Sequence, residues 1–208
     1  MRIVSKTVYF YSELSEPAQA NARDWYRRAS DGDSFSAECV LDDAETIGGF
    51  FGLDMRQRKS RDKNNNPVYA QSIYYSGFSS QGDGACFAAT WRADSIDLAG
   101  LASHAPRDKE LARIGAEFAR IAAIDPAASF RVKHKGHYSH ERCTEFEFNE
   151  ANKLTDDMQR DLIEAARDFM RWIYRALEKD YEFQNSDESI IENIECNEYE
   201  FDIDGARA

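Results

Sequence analysis

The sequence predicts an α+β fold: a mainly antiparallel sheet packed against several helices, one of them long and near the C-terminus. Three observations carry that expectation. Apolar residues alternate with polar ones over short stretches bounded by turn residues, the pattern of half-buried strands. Other stretches place apolar residues every three or four positions, the spacing of one helix face. The strand-like stretches come in clusters instead of alternating strictly with helices, which favours antiparallel pairing over a doubly wound sheet. At 208 residues the expectation is one domain, with residues 180–204 as a strongly acidic C-terminal segment.

Taken in order, Ile3 to Phe10 reads as a strand rich in β-branched and aromatic residues. Ser15 can cap the next helix, which tolerates Pro17 in its first turn and directs Ala18, Ala22, Trp25, Tyr26 and Ala29 to the core. Val40, Leu41, Ala44, Ile47 and Phe51 recur at helical spacing before Gly48, Gly49 and Gly52 weaken a second helix. Residues 54–60 and 68–76 flank the polar turn "RDKNNNP", and Ala85 to Ala93 reads as a further strand. A short helix is expected over Asp94 to Ser103. A longer one follows over Arg107 to Ala123, with Leu111, Ile114, Phe118 and Ile121 as its stripe and Pro126 beyond its end. Ser129 to Lys135 and Tyr138 to Phe148 read as a hairpin around Gly136. The longest helix is expected from about Thr155 to Tyr181, with Met158, Leu162, Ala166, Phe169, Ile173 and Leu177 at core spacing. Ile190, Ile191 and Ile194 suggest a short helix, and "NEYEFDID" has the alternation of a strand. No repeat of about 20–50 residues is present, which excludes solenoids and propellers.

Composition narrows the function classes. Two fifths of the residues are hydrophobic, so the chain is not a disordered linker. The N-terminal apolar run is too short for a signal peptide and no stretch reaches the ~20 apolar residues of a membrane helix. Cys39, Cys86, Cys143 and Cys196 are scattered and form no CxxC pair. The expectation is therefore a reduced, cytoplasmic protein. Of the 38 acidic residues, ten lie between Asp180 and Asp204, where there is no Lys or Arg. That field repels nucleic acid and favours a basic partner surface.

Three constellations are candidates for function. The first is "SSQGDGACF", which holds Ser79, Ser80, Gln81 and Asp83. A phosphate loop would need a neighbouring Lys and a following helix, and both are missing. Asp83-Gly84 between apolar runs is a turn signal, with Gly84 free to take positive φ. The second is "HKGHYSHERC", where His134, His137, His140 and Cys143 recur at steps of three. His and Cys suit zinc, but residues three apart on a strand face opposite ways. A three-residue loop would pair His134 with His140, leaving these two as weak metal ligands or as part of a basic hairpin tip. The third is acidic. Glu192 and Glu195 precede Glu198, Glu200, Asp202 and Asp204, which alternate with Tyr199, Phe201 and Ile203. Glu145 and Glu147 alternate likewise with Phe146 and Phe148. Side by side, these two strands would present carboxylates on one sheet face, an array able to imitate a phosphate backbone.

The first constellation also carries a resemblance. Ser76, Gly77, Phe78, Ser80, Gln81, Gly82, Asp83, Gly84, Ala85 and Phe87 match an S-G-F-x-S-Q-G-D-G-A-x-F box. The chain thereby resembles a family of small uncharacterised bacteriophage and prophage proteins, some labelled antitoxin-like. "ARDWYR" (Ala22 to Arg27) and "DAETIG" (Asp43 to Gly48) agree with it. The resemblance implies a phage or mobile-element origin and supplies no catalytic residues. The functional expectation is a non-enzymatic phage protein that inhibits a host defence complex, an anti-CRISPR or other nuclease inhibitor, through its acidic segment. The alternatives are an antitoxin masking a toxin, or an enzyme using Ser79 to Asp83 on a nucleotide or small substrate. No cofactor, membrane or direct nucleic-acid partner is expected.

Overall fold

A computed structural model describes residues 6–30, 35–55, 57–61, 67–70 and 72–208. In chain order the elements are β1 (Tyr9–Phe10), α1 (Glu16–Ser30), α2 (Phe35–Phe50), β2 (Leu53–Asp54), β3 (Gln57–Arg61) and β4 (Pro67–Ala70). Then come β5 (Ile73–Ser76), β6 (Gly84–Phe87), β7 (Ala89–Arg92), α3 (Leu98–His104), α4 (Lys109–Ala122) and β8 (Ser129–His134). The chain continues through β9 (Thr144–Phe148), α5 (Asp156–Gln184), α6 (Asp187–Cys196) and β10 (Glu200–Phe201). All described strand pairs are antiparallel, so the architecture is α+β with a long helix towards the C-terminal end. Of the expected turn over residues 61–67, Arg61 and Pro67 end and begin strands; residues 62–66 and the segment Ile3 to Ser5 lie outside the described residues.

The chain packs as two compact units, residues 38–178 and residues 1–37 with 179–208. The larger unit holds a four-stranded sheet in the order β2-β7-β8-β9, the hairpins β3-β4 and β5-β6, and α3, α4 and most of α5. Its core is aromatic. Trp91 stacks on Phe130 at 5.0 Å between ring centroids, and Phe51 meets Phe169 edge-on at 5.0 Å and stacks on Phe118 at 5.6 Å. All five rings are buried, and each contributes about 1.5–3 kcal/mol by leaving water. The indole N–H of Trp91 is satisfied by the Phe51 carbonyl at 2.9 Å.

Expectations change at several places within this unit. Residues 54–60 divide between β2 and β3, and residues 68–76 between β4 and β5, each pair of strands lying in different sheets. The stretch Ala85 to Ala93 is two strands, because the chain leaves one ladder at Ala88, whose N–H donates to the Ser72 carbonyl at 2.7 Å. β6 pairs β5, whereas β7 pairs β2 and β8. The helix expected over Asp94 to Ser103 starts later, at Leu98, because the Asp97 carboxylate caps it by accepting from Gly100 N–H at 2.8 Å. A single 3₁₀ turn covers Ala93–Ser95. α4 is capped in the same way by Asp108.

The smaller unit packs α1 against α6 and closes with the β1–β10 pair. Ala18 and Ala22 of α1 are buried with Tyr11, Leu14, Ile190, Ile194 and Phe201, while Trp25, Tyr26, Ile191 and Tyr199 flank them. Ala29, expected in the core, is exposed one turn beyond this cluster. The strand expected over "NEYEFDID" is confined to Glu200–Phe201. It ends in a turn closed by the Gly205 N–H on the Asp202 carbonyl at 2.8 Å, which throws Ile203 out to 67% exposure. Gly205 has φ +82°, and a Cβ there would collide with the carbonyl of Ala18. Only glycine serves that turn. Among the described residues no helix is long and apolar enough to cross a membrane.

Candidate functional site

The glycine-rich box closes the β5–β6 hairpin, with Ser76 paired to Gly84 and residues 77–83 as its loop. One Asp83 carboxylate oxygen accepts from the backbone N–H groups of Ser79 at 2.9 Å and Ser80 at 2.6 Å. The Asp83 N–H in turn donates to the Ser80 carbonyl at 3.1 Å. That oxygen is therefore committed to shaping the loop, while Ser79, Ser80 and Gln81 are exposed. Positive φ falls on Gly77 and Gly82 and not on Gly84, which corrects the turn expected from the Asp-Gly pair. Gly84 is small for another reason: a Cβ there would lie 3.0 Å from the Ser139 carbonyl oxygen and 3.1 Å from the His140 ring. The loop between β8 and β9 rests directly on it. Phe78 anchors the other side of the box against Tyr174 of α5, at 5.6 Å between rings. Burial, and then the nearby charges of Glu178 and Asp83, raise the Tyr174 hydroxyl pKa.

The three histidines at the β8–β9 connection, His134 at the end of β8 and His137 and His140 in the loop, have separate roles. His134 pairs with Thr144, so the connection runs over residues 135–143 and His140 is not its partner. The short loop expected around Gly136 is replaced because Lys135 N–H bonds the Cys143 carbonyl at 2.8 Å, extending the neck of the hairpin. His134 stacks on Tyr74 at 4.5 Å, with Nε2 3.1 Å from the Tyr138 carbonyl. His140 Nδ1 accepts from the Arg142 N–H at 3.2 Å and lies 3.0 Å from Glu141 Oε2. The other Glu141 oxygen is 3.4 Å from Arg171 of α5. His137 is exposed beside Tyr138. Beneath this loop Cys86 is fully buried, and burial, with the Cys143 thiol adding to it, pushes its pKa up to about 12. Among the described residues no group of three or more His, Cys, Asp or Glu could hold a metal ion.

Glu145 and Glu147 do not join the C-terminal carboxylates. β9 pairs β8 and β10 pairs β1, so the two acidic rows belong to different sheets. Lys135 contacts Glu145 at 2.9 Å and Lys133 contacts Glu147, forming a cross-strand ladder. The Lys135 hydrogen bond holds the Glu145 carboxyl below its usual range. The signal for this was present in "RVKHK", whose cations alternate in phase with those glutamates once the strands pair.

The C-terminal acids behave differently. Asp187 is met by Arg23 at 3.3 Å and by Arg27, and Asp202 by Lys6 at 2.7 Å. Glu188, Glu192 and Glu195 lie exposed on α6, and Glu198, Glu200 and Asp204 are exposed beyond it. Among the described residues none of these six carboxylates forms an ion pair within 4 Å. The segment is held in place. Asn21 donates to the Asp204 carbonyl at 2.9 Å, Ser186 caps α6, and Glu198 adopts φ +50° at its end. Four large apolar side chains of the same unit are also half-exposed or more: Phe10, Tyr181, Phe183 and Ile203. The sequence reading missed them because three sit in helical or strand patterns that imply burial.

The larger unit also contains an open cavity of about 700 Å³, lined by Asp42, Glu45, Thr46 and Gly49 of α2, Asp54 of β2, Arg92 and Ser95. Arg92 is held by Asp94 through two bonds of 3.1 and 2.7 Å. Carboxylates thus dominate the lining, which suits no phosphate. Against known proteins, the model of a domain of unknown function, DUF8835, matches residues 36–187, more than half of the chain. No curated protein and no solved structure matches it. The matched residues include the glycine-rich box and the histidine loop; Glu188 to Asp204 lie outside them.

Proposed function

For a chain that belongs to the DUF8835 family, a family of unknown function, we propose a non-enzymatic binding role in which the acidic surface of the smaller unit occupies a basic surface of a partner protein. The observation that carries this reading is the set of six exposed carboxylates from Glu188 to Asp204 that form no ion pair among the described residues. In the larger unit, by contrast, Arg113, Arg120, Lys133, Lys135, Arg171 and Arg175 each meet a carboxylate. Like charges fixed on one ordered segment repel one another, and a cationic surface relieves that repulsion on binding. The half-exposed Tyr181 and Phe183 supply apolar contact area of the kind that anchors interfaces. Basic channels built to hold a nucleic-acid backbone have the complementary charge. With the resemblance to phage proteins, this favours a defence nuclease, such as a CRISPR effector, as the target class.

The catalytic alternative is less well supported, since the Asp83 oxygen it would need is already bonded to Ser79 and Ser80. Affinity purification from a bacterial host identifies the partner and separates a nuclease from a toxin. Replacing Glu192, Glu195, Glu198 and Glu200 by Gln and Asp204 by Asn should then weaken binding at least about tenfold and flatten its salt dependence. Circular dichroism should be unchanged. Undiminished binding by the neutralised chain at low salt would falsify the electrostatic mechanism.

A further inference from the structure

We propose that the notch between the Trp25 and Tyr199 rings is a binding site for arginine side chains of a protein partner, and that the chain's own Arg207 holds it closed. Trp25 projects from α1 and Tyr199 follows α6. Their rings meet at 80° with centroids 5.3 Å apart, and Phe201 backs Trp25 at 5.6 Å. The Arg207 guanidinium carbon lies 4.9 Å from the Tyr199 centroid and 5.8 Å from that of Trp25. One of its nitrogens, Nη1, donates to the Glu200 carbonyl at 2.6 Å. Two ring faces and a carbonyl acceptor complement a planar, charged fork. An ammonium group fits such a site less well, because it cannot stack and holds its water more strongly.

The occupant is held from a short segment. Two backbone hydrogen bonds, Asp202 N–H to the Ala206 carbonyl at 2.8 Å and Ala208 N–H to the Glu200 carbonyl at 3.1 Å, secure residues 206–208. Ala206, Arg207 and Ala208 are all exposed. Opening so small a strap costs little compared with unfolding the unit. Arg207 is also the only Lys or Arg after Lys179, so the notch sits among the carboxylates that draw a basic segment in. The carboxylates of Glu198 and Glu200, which flank Tyr199 in the chain, form no ion pair among the described residues. The inference rests on the binding role proposed above and specifies which side chain the partner inserts.

The test uses the full chain, its Arg207→Ala variant, and two octapeptides of equal charge, one of arginines and one of lysines. Binding is measured by calorimetry at fixed ionic strength, and the Trp25 indole N–H is followed by NMR. If Arg207 fills the notch about nine-tenths of the time, removing it strengthens binding of the arginine peptide about tenfold. The lysine peptide should gain no more than about twofold, as expected from loss of one positive charge. Adding Tyr199→Leu to Arg207→Ala should erase the arginine-specific gain. Should Arg207→Ala perturb the fold, Arg207→Lys keeps the strap and the charge while removing the stack, and the same gain is expected of it. Equal gains for both peptides, no gain in either variant, or an unmoved Trp25 resonance would each overturn the proposal. Gln and Asn substitution of the acidic row tests the parent reading separately: it weakens both peptides alike and leaves the preference for arginine intact.

Discussion

At the scale of single residues, chemistry that looked available in the sequence is largely engaged in holding loops. Asp83 was legible as a turn residue, but which glycine would carry positive φ was not, because that depends on where the second loop lands. Gly84 is dictated by Ser139 and His140, more than fifty positions away. Glu145 and Glu147 were recognised as a row, yet their neutralisation by Lys135 and Lys133 depends on strand register, which alternation alone leaves open. The sharpest residue-level prediction concerns Gly205. Its φ of +82° and its contact with the Ala18 carbonyl leave no room for a methyl group. Gly205→Ala should destabilise the smaller unit by about 2 kcal/mol or more. Urea unfolding followed by Trp25-sensitive fluorescence or NMR reads this directly, and an unchanged midpoint would mean the turn is not required.

At the scale of elements, the long periodic helices were well marked and the strands poorly so. Leu111, Ile114, Phe118 and Ile121 of α4, and Leu162, Ala166, Phe169, Ile173 and Leu177 of α5, are all buried as their spacing requires. Ala85 to Ala89 is buried without interruption, so no alternation there reveals the break at Ala88; alternation begins only in β7. Helix ends depend on caps, and Asp108 is the best-connected of them. One oxygen accepts from Glu110 and Leu111 N–H at 2.9 Å each, and the other accepts from the Trp172 indole of α5 at 2.9 Å. Asp108→Ala removes a cap worth about 1 kcal/mol and leaves the indole N–H without its acceptor, for a total of about 2–3 kcal/mol. Chemical denaturation measures it, and a loss below half a kcal/mol would show that water replaces both roles (roughly the noise of surface substitutions).

At the scale of the whole molecule, the two units differ in how their charges are paired. The larger unit ties its charges into local networks, and Asp168 shows what they do. Burial alone would raise its pKa, but bonds from Arg113 at 2.7 Å and Arg171 at 2.5 Å outweigh that and hold it below the ordinary 3.8. The folded state thus favours the ionised form. The stabilisation is present above the ordinary Asp range and is lost as the pH falls through the lowered folded value. Between pH 6 and pH 3 the parent should therefore lose more stability than Asp168→Asn, as read from thermal midpoints, and parallel pH profiles would remove Asp168 from the account. The acidic tail of the sequence was plain in composition. Its division from the rest was not, because a unit assembled from residues 1–37 and 179–208 leaves no mark at any one point of the chain.

That discontinuity sets an order of events during synthesis. A nascent chain makes α1 early, but Ile190, Ile194 and Phe201, which complete the cluster around Ala18 and Ala22, lie beyond position 186. Residues 38–178 form a continuous unit and can collapse while α1 still waits. Once collapsed, they shorten the loop that must close between Asn21 and Asp204, a contact spanning 183 positions. Pulse-labelled hydrogen exchange during refolding should thus protect β7 and β8 before α1, and simultaneous protection would contradict that sequence. A chain interrupted before α6 would keep its core and its histidine loop yet carry neither the carboxylate row nor the notch for arginine. The proposed binding would then require translation to have passed α6.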